Sequence, residues 1–152
     1  MKTITNIISS SIFKRLSILL LLLLLFTIIS AISYVEAVSN DISNNLFRLH
    51  IIANSDMEED QDLKYLVRDN IISYINKLSA GLNTKEEVIQ VANANIDNIK
   101  EIAQNTIYDN GYNYAINIEI GNFTFPTKNY DDITLPAGFY DALKIEIGKA
   151  AR

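Results

Sequence analysis

The chain has no cysteine, no tryptophan, one histidine and two prolines in 152 residues. Without cysteine there is neither a disulfide framework nor a thiol nucleophile. One histidine and no cysteine cannot assemble a usual zinc site. Nucleophilic catalysis would have to pair a serine with His50, and no Gly-x-Ser-x-Gly turn is present. There is no glycine-rich phosphate loop and no dinucleotide fingerprint. Positive charge is scarce: 13 Lys and Arg face 18 Asp and Glu, a net charge of −5. Such a chain lacks the basic face that nucleic acid requires, so no nucleic-acid partner is expected.

What is present is unevenly spread. Leu16 to Val35 carries no charge and includes seven consecutive leucines, Leu19 to Leu25. Lys2, Lys14 and Arg15 precede it, and Glu36 is the first charge after it. A basic flank followed by an apolar core is the pattern of a secretory signal. Val35-Glu36-Ala37 puts small or β-branched side chains at −3 and −1, so cleavage between Ala37 and Val38 is expected. The competing reading is a retained anchor, because this stretch as a helix rising ~1.5 Å per residue spans about 30 Å. Ser17, Thr27, Ser30 and Ser33 weaken that span and favour cleavage. On either reading the N-terminal helix contacts the membrane before any cleavage, and everything after Ala37 lies outside the cytoplasm.

The expected organisation is therefore a signal peptide or membrane anchor over 1–37, a polar tether over 38–45, and one exported domain over 46–152. Beyond Ala37 the chain keeps ten of its cations and seventeen of its acids, a net charge of −7. A domain of this size should bury roughly two-thirds of its unfolded surface, enough for a core.

Periodicity then supplies the elements. Leu46 to Ala53 reads as a strand, with Arg48 and His50 opposite Leu49 and Ile51. From about Met57 to Leu78 apolar residues recur at three and four: Leu63, Leu66, Val67, Ile71, Tyr74, Ile75, Leu78. Gly81 closes that helix. Thr84 with Glu87 has capping-box spacing and predicts one helix running to about Ile107. Asn110-Gly111 ends it. Tyr112 to Ile120 alternates as a strand, Gly121-Asn122 reads as a two-residue hairpin turn, and Phe123 to Phe125 begins the return strand. Pro126 stops pairing. A loop with Tyr130, Asp131 and Asp132 leads to a last strand, Tyr140 to Gly148. The order β-α-α-β-β-β predicts an α+β fold: one small, mostly antiparallel sheet covered on one face by two amphipathic helices, after the N-terminal signal or anchor helix.

The stretch LHIIANSDMEEDQDLK (Leu49 to Lys64) has the look of chemistry, with the only histidine next to a run of acids. Extended geometry separates His50 from Ser55 by about 16 Å, so a pair would need a sharp turn. Asp56, Glu58, Asp60 and Asp62 imitate a calcium loop, but Gln61 stands where glycine is required and Val67 where the bidentate glutamate is required. Acids in a first helical turn are better explained by the helix dipole, each worth ~0.3–1 kcal/mol. No metal and no cofactor is expected. A carboxylate-dependent cell-wall hydrolase stays open as an alternative function, as does a membrane-anchored structural domain. The second conspicuous segment, Phe125 to Gly148, carries both prolines, several aromatics and Lys128 in a loop.

Three blocks, RLHIIANSDMEEDQDLKYLVRD (Arg48 to Asp69), FPTKNY (Phe125 to Tyr130) and LPAGFYDALKIEIG (Leu135 to Gly148), together resemble the stage II sporulation protein R family of endospore-forming Firmicutes. The resemblance implies a protein that is not an enzyme. It implies a signal exported from the forespore into the space between the two engulfing membranes, secreted or membrane-anchored. The implied partner is a membrane-embedded aspartic protease of the mother cell that processes the sigma-E precursor. Family members continue into a tail containing Trp and Cys. Neither residue occurs here, so a truncated or short form is expected. The expected partner surface comprises His50, Asn54, Ser55, Asp56, Phe125, Lys128 and Tyr130, with Phe125, Lys128 and Tyr130 as anchors.

Overall fold

The computed structural model describes residues 2–130 and 133–150. Asp131 and Asp132 of the expected loop lie outside the described residues. The chain divides into two compact units, Met1–Asn40 and Asp41–Arg152. The first belongs to helix α1, Lys2–Asn45. From Ile12 on, this helix is long and apolar enough to cross a membrane, and Leu19 to Leu25 are all exposed on it. That is compatible with a signal or an anchor. Residues 38–45, expected as an irregular tether, are helical.

The second unit follows the order β1 (Phe47–Ile52), α2 (Glu58–Leu78), α3 (Lys85–Ala94), α4 (Ile96–Asp109), β2 (Ile116–Phe125), β3 (Lys128–Asn129), β4 (Thr134–Leu135) and β5 (Gly138–Ile147). The fold is α+β with a mixed sheet. Its strand order is β1-β5-β2: β5 pairs in parallel with β1 and antiparallel with β2. The short β3 and β4 form a separate ribbon, closed by Tyr130 N–H donating to Ile133 C=O at 2.8 Å.

Two local expectations are corrected. No hairpin turns at Gly121-Asn122; β2 runs straight through, pairing from Ile116 opposite Ile147 to Phe125 opposite Gly138. The ten-residue β5 offers a partner along the whole of this length, and that long-range ladder outweighs a local turn preference. The helix after Thr84 is two helices, divided at Asn95. Asn95 Nδ2 donates to Val91 C=O at 2.9 Å, and its Oδ1 accepts from the Tyr74 hydroxyl at 3.4 Å. A side chain that bonds nearby backbone in this way ends a helix even where the apolar stripe continues. The sheet is mixed because the first strand pairs with the last, and a parallel pair requires the long crossover that the three helices provide.

The core lies between helices and sheet. Leu63, Val67 and Ile71 of α2 pack with Ile99, Ala103 and Ile107 of α4 and with Leu143, Ile145 and Ile147 of β5. A second, smaller cluster on the opposite sheet face joins Phe125, Tyr140 and Ala142 to Ile42, Leu46 and Phe123. Because β5 alternates between these clusters, it is the strand buried on both faces. Gly111 (φ +83°) completes a Schellman closure of α4: Tyr112 N–H donates to Ile107 C=O and Gly111 N–H to Tyr108 C=O.

The Thr84 capping box is present. Thr84 Oγ1 accepts from Glu87 N–H at 3.3 Å, and Glu87 Oε2 accepts from Thr84 N–H at 3.1 Å. Thr84→Ala should lower unfolding stability by about 1 kcal/mol in a chemical-denaturation series.

Candidate functional site

The Asn54–Asp56 turn proves to be an anchoring device for most of its length. Asp60, in the first turn of α2, is 5 % exposed. Its Oδ2 accepts from Ser55 Oγ at 2.5 Å and from Asn54 Nδ2 at 2.9 Å. Burial pushes the Asp60 carboxyl up, but the hydrogen bonds from Ser55, Asn54 and Tyr114 together bring it below the usual carboxylate range. Asn54 Oδ1 in turn accepts from Lys149 N–H at 3.0 Å, just beyond β5. One asparagine therefore ties the exit of β1 to the start of α2 and the end of β5. Gly148 permits this tie: its φ is +62°, and a Cβ there would lie 2.2 Å from Asn54 Oδ1. Asp56 is exposed. Ser55 Oγ is committed to Asp60 and makes no contact that would serve His50.

The remaining expected surface residues, His50, Phe125, Lys128 and Tyr130, line one open groove of about 450 Å³. β1 supplies its floor through Arg48, Leu49, His50 and Ile51. Lys64, Tyr65 and Arg68 of α2 form one wall, and the segment from Phe125 to Tyr130 forms the other. Leu49 and Ile51 pack toward the helices. Arg48 and His50 lie on the other face of the strand, against Phe125. A groove lined by both faces of β1 must run across the strand's outer edge.

The groove's chemistry is cationic and aromatic. The Arg48 guanidinium lies 4.0 Å from the centre of the Phe125 ring and 4.8 Å from that of Tyr140. Arg48 Nη1 is buried without a hydrogen-bond partner among the described residues. Lys64 and Arg68 both lie over the Tyr65 ring, at 4.5 and 4.9 Å. Lys64 also donates to Gln61 Oε1, and Arg68 pairs with exposed Asp69 at 2.7 Å. Among the described residues no carboxylate lines the groove. His50 is half-buried, edge-on to Phe125 with ring centres 5.1 Å apart. Burial first, then the charges of Arg48 and Lys144, hold its imidazole below the usual range, against a smaller opposing pull from Glu146. The imidazole is therefore neutral at neutral pH.

Nothing in the sequence joins Lys64 and Arg68 to His50. The available signal was their spacing of four around Tyr65, which places three side chains on neighbouring positions of one helix face. What the sequence lacked was the partner of that face, because α2 meets β1 only through tertiary packing. Among the described residues no cluster of three or more His, Asp or Glu side chains is disposed to hold a metal.

A family model described as stage II sporulation protein R matches residues 43–152. The chain is 36% identical over 107 residues to "Stage II sporulation protein R" of Bacillus subtilis (strain 168), an alignment covering 70% of this chain and 48% of that protein. The chain thus spans about half the length of this relative. No solved structure matches it.

Two outcomes check this geometry. Asn54→Ala should cost about 1–3 kcal/mol, since it leaves buried Asp60 short of a donor. Gly148→Ala should cost less in the Asn54→Ala background than in the wild type, because the clashing amide is gone; denaturation of the four proteins in a double-mutant cycle measures the difference. For His50, the folded-state pKa lies below the unfolded one, so the unfolded chain binds the extra proton. Stability attributable to His50 is complete above the unfolded value of 6.5 and is lost as pH falls from there toward the folded pKa. Relative to His50→Gln, the wild type should lose stability as pH falls below 6.5 in parallel denaturation curves.

Proposed function

The chain belongs to the stage II sporulation protein R family, and on that premise we propose that it is an exported signal that activates a membrane-embedded aspartic protease of the mother cell, which then processes the sigma-E precursor. In this reading the protein is a ligand and not a catalyst. The N-terminal helix delivers the domain from the forespore into the intermembrane space, either released by cleavage after Ala37 or held as an anchor. The domain then meets the protease from outside the membrane.

The observation that carries the proposal is the assembly of four expected surface residues in one groove. His50 comes from β1, Phe125 from the end of β2, and Lys128 and Tyr130 from the following ribbon, and all four line the same hollow. Tyr130 is 54% exposed, so an aromatic ring stands in water beside a cation. Aromatic and cationic side chains around a concave surface are the composition of binding hot spots. The neutral His50 and the buried Asp60 both have structural roles that account for them without a reaction.

Lys128→Ala and Tyr130→Ala should retain the wild-type circular dichroism spectrum and melting behaviour, because neither side chain belongs to the core. Each should reduce sigma-E precursor processing when the variant is made in the forespore and the protease in the mother cell. Full processing by both variants would remove this surface from the proposal.

A further inference from the structure

We propose that the groove along the outer edge of β1 receives an extended acidic peptide segment of the partner, held by main-chain pairing to β1 and by the surrounding cations; this rests on the signalling reading above and specifies what the signal recognises. β1 has only one strand neighbour, β5. Its other edge makes no backbone hydrogen bond among the described residues. An edge strand left open in this way is a template for an added strand. The groove lies across that edge, because successive residues of β1, whose side chains alternate between its two faces, all line it.

Charge decides what kind of strand fits. Beyond Ala37 there are ten cations against seventeen acids, yet four of those ten, Arg48, Lys64, Arg68 and Lys128, line this groove, and among the described residues no acid does. Gathering like charges costs free energy unless something opposite offsets it. Of the four, Arg68 has a carboxylate partner, the exposed Asp69. Arg48 Nη1 is buried with no acceptor. A carboxylate would supply that acceptor with a charge-assisted hydrogen bond.

A peptide accounts for more of the site than other anions would. Only a polypeptide backbone can match the donors and acceptors of a strand edge. A second copy of this chain is disfavoured, since its own β1 edge would bring the same cations face to face. Further along the same strand, Phe47, Leu49, Ile72, Ile75 and Leu143, with Arg48 and Asn76, line a smaller, mostly apolar hollow of about 160 Å³. It would take an apolar side chain next to the acidic ones. The occupant is therefore an extended segment that combines Asp or Glu with an apolar residue.

The test uses the full chain in detergent micelles and a fluorescent hexapeptide of alternating glutamate and valine, matched to the six residues of β1. The lysine–valine hexapeptide is the charge control. A version N-methylated at alternate residues is the backbone control. Binding by fluorescence anisotropy should be confined to the acidic peptide and should weaken with added salt. It should fall by about tenfold or more in the Lys64→Glu/Arg68→Glu double variant, and similarly for the N-methylated peptide. Arg68 is exposed and Lys64 half-buried on α2, and neither belongs to the core; a melting curve verifies the fold. Equal binding of the two charge forms, or no loss on charge reversal, overturns the acidic occupant. Equal binding of the N-methylated peptide overturns strand addition.

The same double variant in the two-compartment assay separates this inference from the reading beneath it. Processing lost together with peptide binding supports both. Processing lost while the wild type fails to bind the acidic peptide leaves the signalling reading standing and overturns the acidic occupant. Groove-dependent peptide binding with processing intact supports the groove's chemistry and sinks its role in signalling.

Discussion

The parallel pairing of β1 with β5 is the constraint on which the rest of the domain depends. It joins residues as far apart as Phe47 and Asp141. A parallel pair cannot be closed by a tight turn, so the chain between must travel back along the sheet, and three helices make that journey. Once β5 is also paired with β2, it becomes the central strand, buried on both faces, and β1 is left at an edge. The position of β1 explains why its burial is intermediate throughout, although three of its six residues pack toward the helical core. The groove is a consequence of this arrangement. Residues of α2 and of the segment from Phe125 to Tyr130 line it beside the strand.

The Asn54 clamp holds that arrangement in register. Asn54 and Ser55 fasten α2 to the end of β1 through Asp60, and Asn54 fastens both to the residue after Gly148. Lys85 and Asp141 tie α3 to β5 at the other end, 2.6 Å apart. The Lys85 hydrogen bond, with a second from Asn122, holds the Asp141 carboxyl below its usual range. On the outer sheet face Lys144 lies between Glu119 and Glu146, at 3.4 and 3.3 Å. Much of the domain's polar surface is thus internally balanced, which makes the cluster of cations beside β1, where only Arg68 has a carboxylate partner among the described residues, the exception. A site for an anionic partner is one physical reason for such an exception: four cations line a groove in which, among the described residues, no acid takes part.

Legibility in the sequence followed the range of the forces involved. The capping box at Thr84, the Schellman closure at Gly111 and the apolar stripe Leu63–Val67–Ile71 are local, and their residues declared them. The break at Asn95 was hidden because the stripe of α3 continues into α4, and the signal lay in a side chain that bonds backbone four residues back. The absent hairpin at Gly121-Asn122 was misread for the opposite reason: local turn chemistry was present, but the ladder to β5 prevailed. At the site, His50, Phe125, Lys128 and Tyr130 could be singled out as unusual residues. Arg48, Lys64, Tyr65 and Arg68 could not be joined to them, since nothing within a few residues of any one of them refers to the others.

By itself the sequence determined the apolar N-terminal helix, the acidic character of the rest, the α+β class and the family. Each of these depends on composition, on period or on the order of residues along the chain. The tertiary structure alone decided that the sheet is mixed, that β1 lies at its edge, and that Asn54 and Ser55 serve as fasteners while four cations surround a groove. Those facts depend on which distant segments meet, and pairing energy between segments about ninety residues apart leaves no periodic mark on either one.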